Sequence, residues 1–458
     1  MKKVVNILSI IFILLLFYLT KDSDILSLTV SFSMYILLGS IFSTTSIKDK
    51  NYKIFKLSIL SVILLGIPLI IISYFIGDIL DINKLNIINI LMVISLISNV
   101  ILRLTRDYLG NINYRKLSNN LINVYNCITL IIKIILTILL FGVFKTPSYI
   151  NIITLYSVDI FVSIALNVII YLLVFNKIKN QDKISSIKEI KEVIVGNKIV
   201  TLYNIINSSY IYISIIILYF ILNNNYNYSY DKLSIYITNT YFYGLIVVYC
   251  IHYVIKKYLN INLKDNFISN SNKIIKVTLM LSILFTVISK SVSYLIFGSN
   301  SNILVNQIPL LFFYTFYDFV INTNIIYNKD KSVITTLIIG IIVKVIFEIP
   351  LINTIYRMGY TLTLGSVLSI VLGFIVSIII GIILIKNKLK INLLDNFNNL
   401  LNIIYENIIY TLILVLFTLI IKIDTNNIMD SILVIIFYIF ITVLFYVIKN
   451  IIKKGKNV

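Results

Sequence analysis

Stretches of about 20 apolar residues return again and again along these 458 residues, separated by short polar turns. A helix gains about 1.5 Å per residue, so each stretch matches a hydrocarbon core about 30 Å thick. Fourteen are expected to be helices: 4–20, 25–46, 54–78, 85–104, 118–142, 150–176, 195–222, 233–255, 274–297, 303–323, 332–355, 360–385, 399–421 and 431–448. Peptide groups in lipid need internal partners, and a helix supplies them. The expected fold class is an all-α polytopic membrane protein.

Composition agrees. Hydrophobic residues make up 59% of the chain and charged residues 13%, against about 25% charged in soluble domains. Trp is absent, so Tyr is expected at the membrane interfaces. The net charge of +20 would suit nucleic acid, but its placement excludes that reading. With the N-terminus in the cytoplasm, 30 of the 39 Lys and Arg fall in inward loops and tails, 6 in outward loops and 3 inside spans. That alternation is the positive-inside rule. It places both termini in the cytoplasm and the protein in the cytoplasmic membrane. The first 20 residues resemble a signal peptide but lack a small-residue cleavage site, and are expected to stay as the first helix. Two cysteines inside spans and one histidine offer no disulfide framework or metal cluster. No cofactor is called for, and no GxxxxGK[ST] loop supports ATP coupling.

The chain also repeats at an offset of 211 residues. RDYLGNINY (106–114) falls on YDFVINTNI (317–325), aligning Asp107 with Asp318, Asn111 with Asn322 and Asn113 with Asn324; Lys133 falls on Lys344. Six spans per half preserve orientation, so the repeat is parallel. The expected organisation is an N-terminal lobe (1–176, spans 1–6), a cytoplasmic amphipathic linker (177–196), a C-terminal lobe (197–390, spans 7–12) and two further helices (391–458). SSIKEIKEVIV (185–195) carries the linker's helical apolar spacing.

The run KVIFEIPLINTIYRMGYTLTLGSVLSIVLGFIV (344–376), with RDYLGNINYRKLSNN (106–120) and the loop from Lys256 to Lys276, resembles the multidrug/oligosaccharidyl-lipid/polysaccharide exporter superfamily. Stage V sporulation protein B-like and polysaccharide flippases are similar to it over most of the chain. The resemblance implies two six-helix lobes that carry an amphiphile by alternating access, with spans one, two, seven and eight lining the cavity. Fourteen spans match the branch that moves lipid-linked sugars; twelve are usual for its drug exporters. Lipid II flippases resemble one another in mid-span cavity arginines, whereas here Arg103, Arg106, Arg115 and Arg357 all lie outside the span centres.

Charges within spans are costly, about 2.5–3.5 kcal/mol each at the helix centre, and so mark candidate sites. Lys344 and Glu348 are four apart on one helix face. Two readings stand: a cavity cation that binds an anionic headgroup with Glu348 tuning it, or a mutually neutralised pair packing the helix. Lys133 is the repeat counterpart of Lys344, with Thr137 where Glu348 would fall. Asp159 and Glu406 are lone acids, and Asp159 and Glu348 are candidates for a coupling proton or sodium ion. Lys290 lies near the outer surface and Asp318 near an inner helix end. In span seven, Asn197, Thr201, Asn204 and Ser208 form one polar stripe. Thr238 of span eight and Ser31 of span two are further cavity candidates, small polar residues that can equally join helices. Pro68, Pro309 and Pro350 fall within spans and are candidate kinks.

The function expected is export, as a flippase for a lipid-linked oligosaccharide or polysaccharide precursor, without covalent chemistry. Its partners would be the lipid-linked sugar, membrane lipids and glycosyltransferases or a polymerase of an envelope glycan pathway. A drug/cation antiporter is the alternative. A membrane glycosyltransferase is a distant one, since Asp22 and Asp24 sit in a loop too short for a substrate domain.

Overall fold

A computed structural model describes residues 2–20, 26–48, 50–80, 82, 84–175, 192–194, 196, 198–226, 237–238, 244–259, 267–297, 303–327, 331–390, 397–420 and 427–455. Fourteen main helices lie among them, and each overlaps one expected span. They are α1 (Lys2–Thr20), α2 (Leu26–Ile41), α3 (Tyr52–Ile79), α4 (Leu85–Asn111), α5 (Arg115–Thr137), α6 (Ser148–Leu173) and α7 (Lys198–Tyr226). Then follow α8 (Leu245–Leu259), α9 (Phe267–Phe297), α10 (Ile308–Tyr327), α11 (Lys331–Arg357), α12 (Leu362–Leu389), α13 (Phe397–Ile420) and α14 (Ile428–Gly455). Ten helices among the described residues are long and apolar enough to cross a membrane. The expected linker lies outside the described residues apart from 192–194 and 196.

The chain divides into two compact units, Met1–Thr238 and Asn239–Val458. In the first, α4 packs against α2, α3, α5 and α6, α1 packs on α5, and α7 packs along α2. In the second, α10 packs against α8, α9, α11 and α12. The offset of 211 residues carries each α4 neighbour onto the corresponding α10 neighbour, so the repeat extends from motif to packing. Spans thirteen and fourteen pack on α9 through Leu284, Ile288, Tyr410, Leu414, Val434, Tyr438 and Ile441.

Burial separates hub from rim. The apolar window of α4 is 61% buried and that of α3 is 17% buried. Leu60, Ile63, Leu64, Ile67, Ile71 and Phe75 therefore stay exposed along α3. Such an unbroken apolar face suits hydrocarbon and would be an aggregation surface in water. Within the units, polar atoms join helices. Asn89 donates to Ser73 O (3.0 Å), Ser163 Oγ to Ser98 O (2.8 Å) and Asn324 to Gly381 O (2.9 Å).

Close backbone approach is set by glycine. A Cβ on Gly77 would meet the Asn86 backbone at 2.7 Å, and one on Gly365 would meet Ile352 Cα at 2.7 Å. The prolines divide. Pro68 and Pro350 lie inside α3 and α11. Pro309 instead occupies the first turn of α10, where its missing N–H has no helical partner to lose, so no kink is needed there. Helix α5 continues as one π-helical turn, Ile138–Val143.

Candidate functional site: buried polar groups in each unit

The two repeat-related lysines both act at the contact between the fifth and sixth helices of a repeat, by different routes. In the first unit, Lys133 on α5 reaches across to Asp159 on α6, with Nζ 2.6 Å from Oδ2. Asp159 is therefore not the lone acid its sequence context suggested; its partner lies 26 residues earlier, on the neighbouring helix. In the second unit, Lys344 on α11 pairs with Glu348 one turn away on its own helix at 2.7 Å. Ser366 of α12 donates to the other Glu348 oxygen at 3.3 Å.

Their surroundings differ. Lys344 and Glu348 side chains are both 0% exposed, whereas Lys133 and Asp159 retain 17% and 14%. In this structure the Lys344 ammonium faces Glu348 inside its unit. Thr137, which stands where Glu348 would in the repeat, is buried, and its hydroxyl has no hydrogen-bond partner among the described residues.

Asp159 sits in a wider polar group of the first unit. Tyr125 on α5 lies beside Asp159 and Asn99. Asn99 on α4 donates to Tyr35 Oη on α2 at 3.1 Å. Ser31, one turn before Tyr35, shares a 3.2 Å hydrogen bond with Tyr156 of α6. The group thus runs from α2 through α4 to α5 and α6. Sequence reasoning named Ser31, Lys133 and Asp159 but not the tyrosines, because Tyr is abundant here and each could equally have been an interfacial residue.

The α7 stripe lies against α2 and the turn after it. Thr201 and Thr44 hydroxyls are 2.5 Å apart, Asn204 donates to Ser43 at 2.9 Å, and Ser208 donates to Ser40 at 3.3 Å. Asn197, the first member, lies outside the described residues. Thr29 of α2 donates to Thr238 at 3.3 Å, with both buried. These candidates meet small hydroxyls of α2 and of the turn after it, so polar atoms join α7 to that segment.

The second unit holds a small open cleft lined by His252, Lys256, Ile274, Thr315, Asp318 and Asn322. Asp318 accepts from Lys256 at 2.8 Å and from Asn322 at 2.8 Å. His252 Nε2 is 3.5 Å from the same carboxylate, and its Nδ1 is 3.3 Å from Thr315 Oγ1. The Thr315 hydroxyl also lies 2.9 Å from Leu311 O, so the imidazole bridges that hydroxyl and the Asp318 carboxylate. Glu406, the other acid read as lone, is flanked by Lys276 and Lys449. Lys290 is exposed on α9. Among the described residues, no three His, Cys, Asp or Glu side chains gather as a metal site.

No family model matches the sequence, and none of the curated proteins matches it. Solved structures do match the fold. A lipid II flippase MurJ in an inward closed conformation superimposes with a TM-score of 0.63 at 15% identity, covering 98% of this chain and 99% of that one. An inward-facing multidrug resistance MATE family transporter of the MOP superfamily gives a TM-score of 0.53 at 14% identity, covering 84% of this chain and 93% of that one. The chain therefore has the fold shared by these two solved structures.

Proposed function

We propose that this protein is a flippase that moves a lipid-linked oligosaccharide or polysaccharide precursor across the cytoplasmic membrane by alternating access. The observation that carries this reading is the extent of the likeness: the flippase fold covers 98% of the chain, α13 and α14 included, against 84% for the drug transporter. A lipid tail that stays in the bilayer during transfer avoids exposing methylenes to water, at about 0.8 kcal/mol each. The protein then needs to shelter only the sugar–phosphate head.

Polar side chains of spans two, seven and eight are the proposed head-binding set: Ser31, Asn197, Thr201, Asn204, Ser208 and Thr238. Asp159 and Glu348 are the proposed coupling groups, since each is a carboxylate within a span whose charge is balanced by one lysine. A proton or sodium ion would act by competing with that lysine. Lys344 would meet an anionic head only after separating from Glu348.

Removal of the protein from its cell tests the assignment. A lipid-linked sugar is expected to accumulate on the inner leaflet. The drug-transporter likeness supports a second reading, a drug/cation antiporter. Substrate-dependent proton or sodium flux with no lipid-linked sugar accumulating would favour it.

A further inference from the structure

Glu406 on α13 is held by two ammonium groups. Lys276 of α9 lies 3.2 Å from its Oε2, and Lys449 of α14 bonds the same oxygen. One carboxylate cannot balance two lysines, so the group carries a net positive charge. It is not sealed: the three side chains are 31%, 33% and 20% exposed. Lys273, one turn before Lys276 on α9, is exposed as well.

Depth and surroundings identify the ligand. From Lys276 to Phe297, and from Asp430 to Lys449, helical rise amounts to about 30 Å, one hydrocarbon thickness. Both lysines therefore stand at headgroup level on their helices. Tyr446 lies under Lys276, with Nζ 5.9 Å from its ring centroid, and is 39% exposed. Tyr405, next to Glu406, is 66% exposed. Amphipathic aromatic rings favour that same interfacial level. The neighbouring turns of α13 and α14 expose the apolar side chains Leu401, Ile408, Leu444 and Ile448.

We propose that Lys276 and Lys449 bind the phosphate of an anionic bilayer phospholipid, with Glu406 as an internal competitor that holds the two ammonium groups in place. The lipid's acyl chains would lie along the exposed faces of α13 and α14.

The test uses the full-length chain equilibrated with vesicles of equal phosphatidylglycerol and phosphatidylcholine, followed by native mass spectrometry of retained lipid. One ammonium near a surface favours anionic lipid by about fivefold. The wild type is expected to retain phosphatidylglycerol by that margin. Lys276→Gln keeps the Lys449–Glu406 pair, so it should fold and lose the preference. Lys276→Arg should keep it. Glu406→Gln removes the competitor and should raise retention. Equal retention of the two lipids by the wild type would overturn the proposal. So would a fall in Glu406→Gln matching that of Lys276→Gln, which would make the trio a helix staple alone. Displacement of the lipid by inorganic phosphate would also overturn it, in favour of a free-anion site.

Discussion

Lys344 Nζ lies 2.7 Å from Glu348 Oε2, both side chains fully buried, while its repeat counterpart Lys133 reaches Asp159 on another helix at 2.6 Å. The same helix contact is thus neutralised twice, once along a helix and once across two. Removing either charge of the buried pair strands the other in low dielectric.

Lys344→Ala is therefore expected to cost about 3–5 kcal/mol. The paired replacement Lys344→Met with Glu348→Leu is expected to recover most of it, because no charge remains to be neutralised. Thermal unfolding in detergent checks both. Transport by the paired variant separates two roles: retained flipping means the pair only packs α11 against α12, and lost flipping in a folded protein means the pair serves transport, through Lys344 on the cargo or Glu348 in coupling.

Lys133→Ala should destabilise less than Lys344→Ala, since 17% and 14% exposure lets water screen the stranded Asp159. A double-mutant cycle on Lys133 and Asp159 should give a coupling energy of about 0.5–3 kcal/mol. A coupling near zero would show that the pair does not join α5 to α6.

Gly77→Ala and Gly365→Ala should each cost about 1–3 kcal/mol, because the added methyl meets backbone that cannot rotate away. Gly39→Ala is the control. Its Cβ would meet only Leu96 Cδ1 at 3.4 Å, an ordinary contact. It should be neutral or stabilising by the helix propensity gained, about 1 kcal/mol. Unfolding midpoints of the three variants provide the comparison.

Thr201→Val and Ser208→Ala should each lose about 0.6 kcal/mol, the average for a hydrogen bond between membrane helices. If these hydroxyls serve only to join α7 to α2, flipping should follow stability. If they contact the sugar head, flipping should fall further than stability does, which paired unfolding and transport assays would show.

Much of this was legible from apolar length alone, because hydrocarbon thickness dictates how many residues a helix needs. The fourteen stretches all overlap helices, and the offset that aligns Asp107 with Asp318 also aligns the packing around α4 and α10. Pairings between helices were not legible. Lys133 and Asp159 are 26 residues apart, and Lys276 and Glu406 are 130 apart; nothing local marks them as partners. Lys344 and Glu348 were readable because the helix itself brings four-residue spacings together. Pro309 was misread as a kink because an apolar run does not reveal where the first helical turn begins. The tyrosines around Asp159 carried no signal above the chain's 33 tyrosines.

Transfer of lipid-linked sugar by the purified protein tests the central claim most directly. The protein would be reconstituted in sealed vesicles carrying an undecaprenyl-type or similar polyisoprenyl-linked oligosaccharide in the inner leaflet, and arrival of the sugar head outside would be read with a membrane-impermeant lectin or glycosidase. Protein-dependent arrival without ATP is predicted, reduced by Thr201→Val. Intact vesicles in which well-folded protein moves no sugar head, under both proton and sodium gradients, would contradict the account.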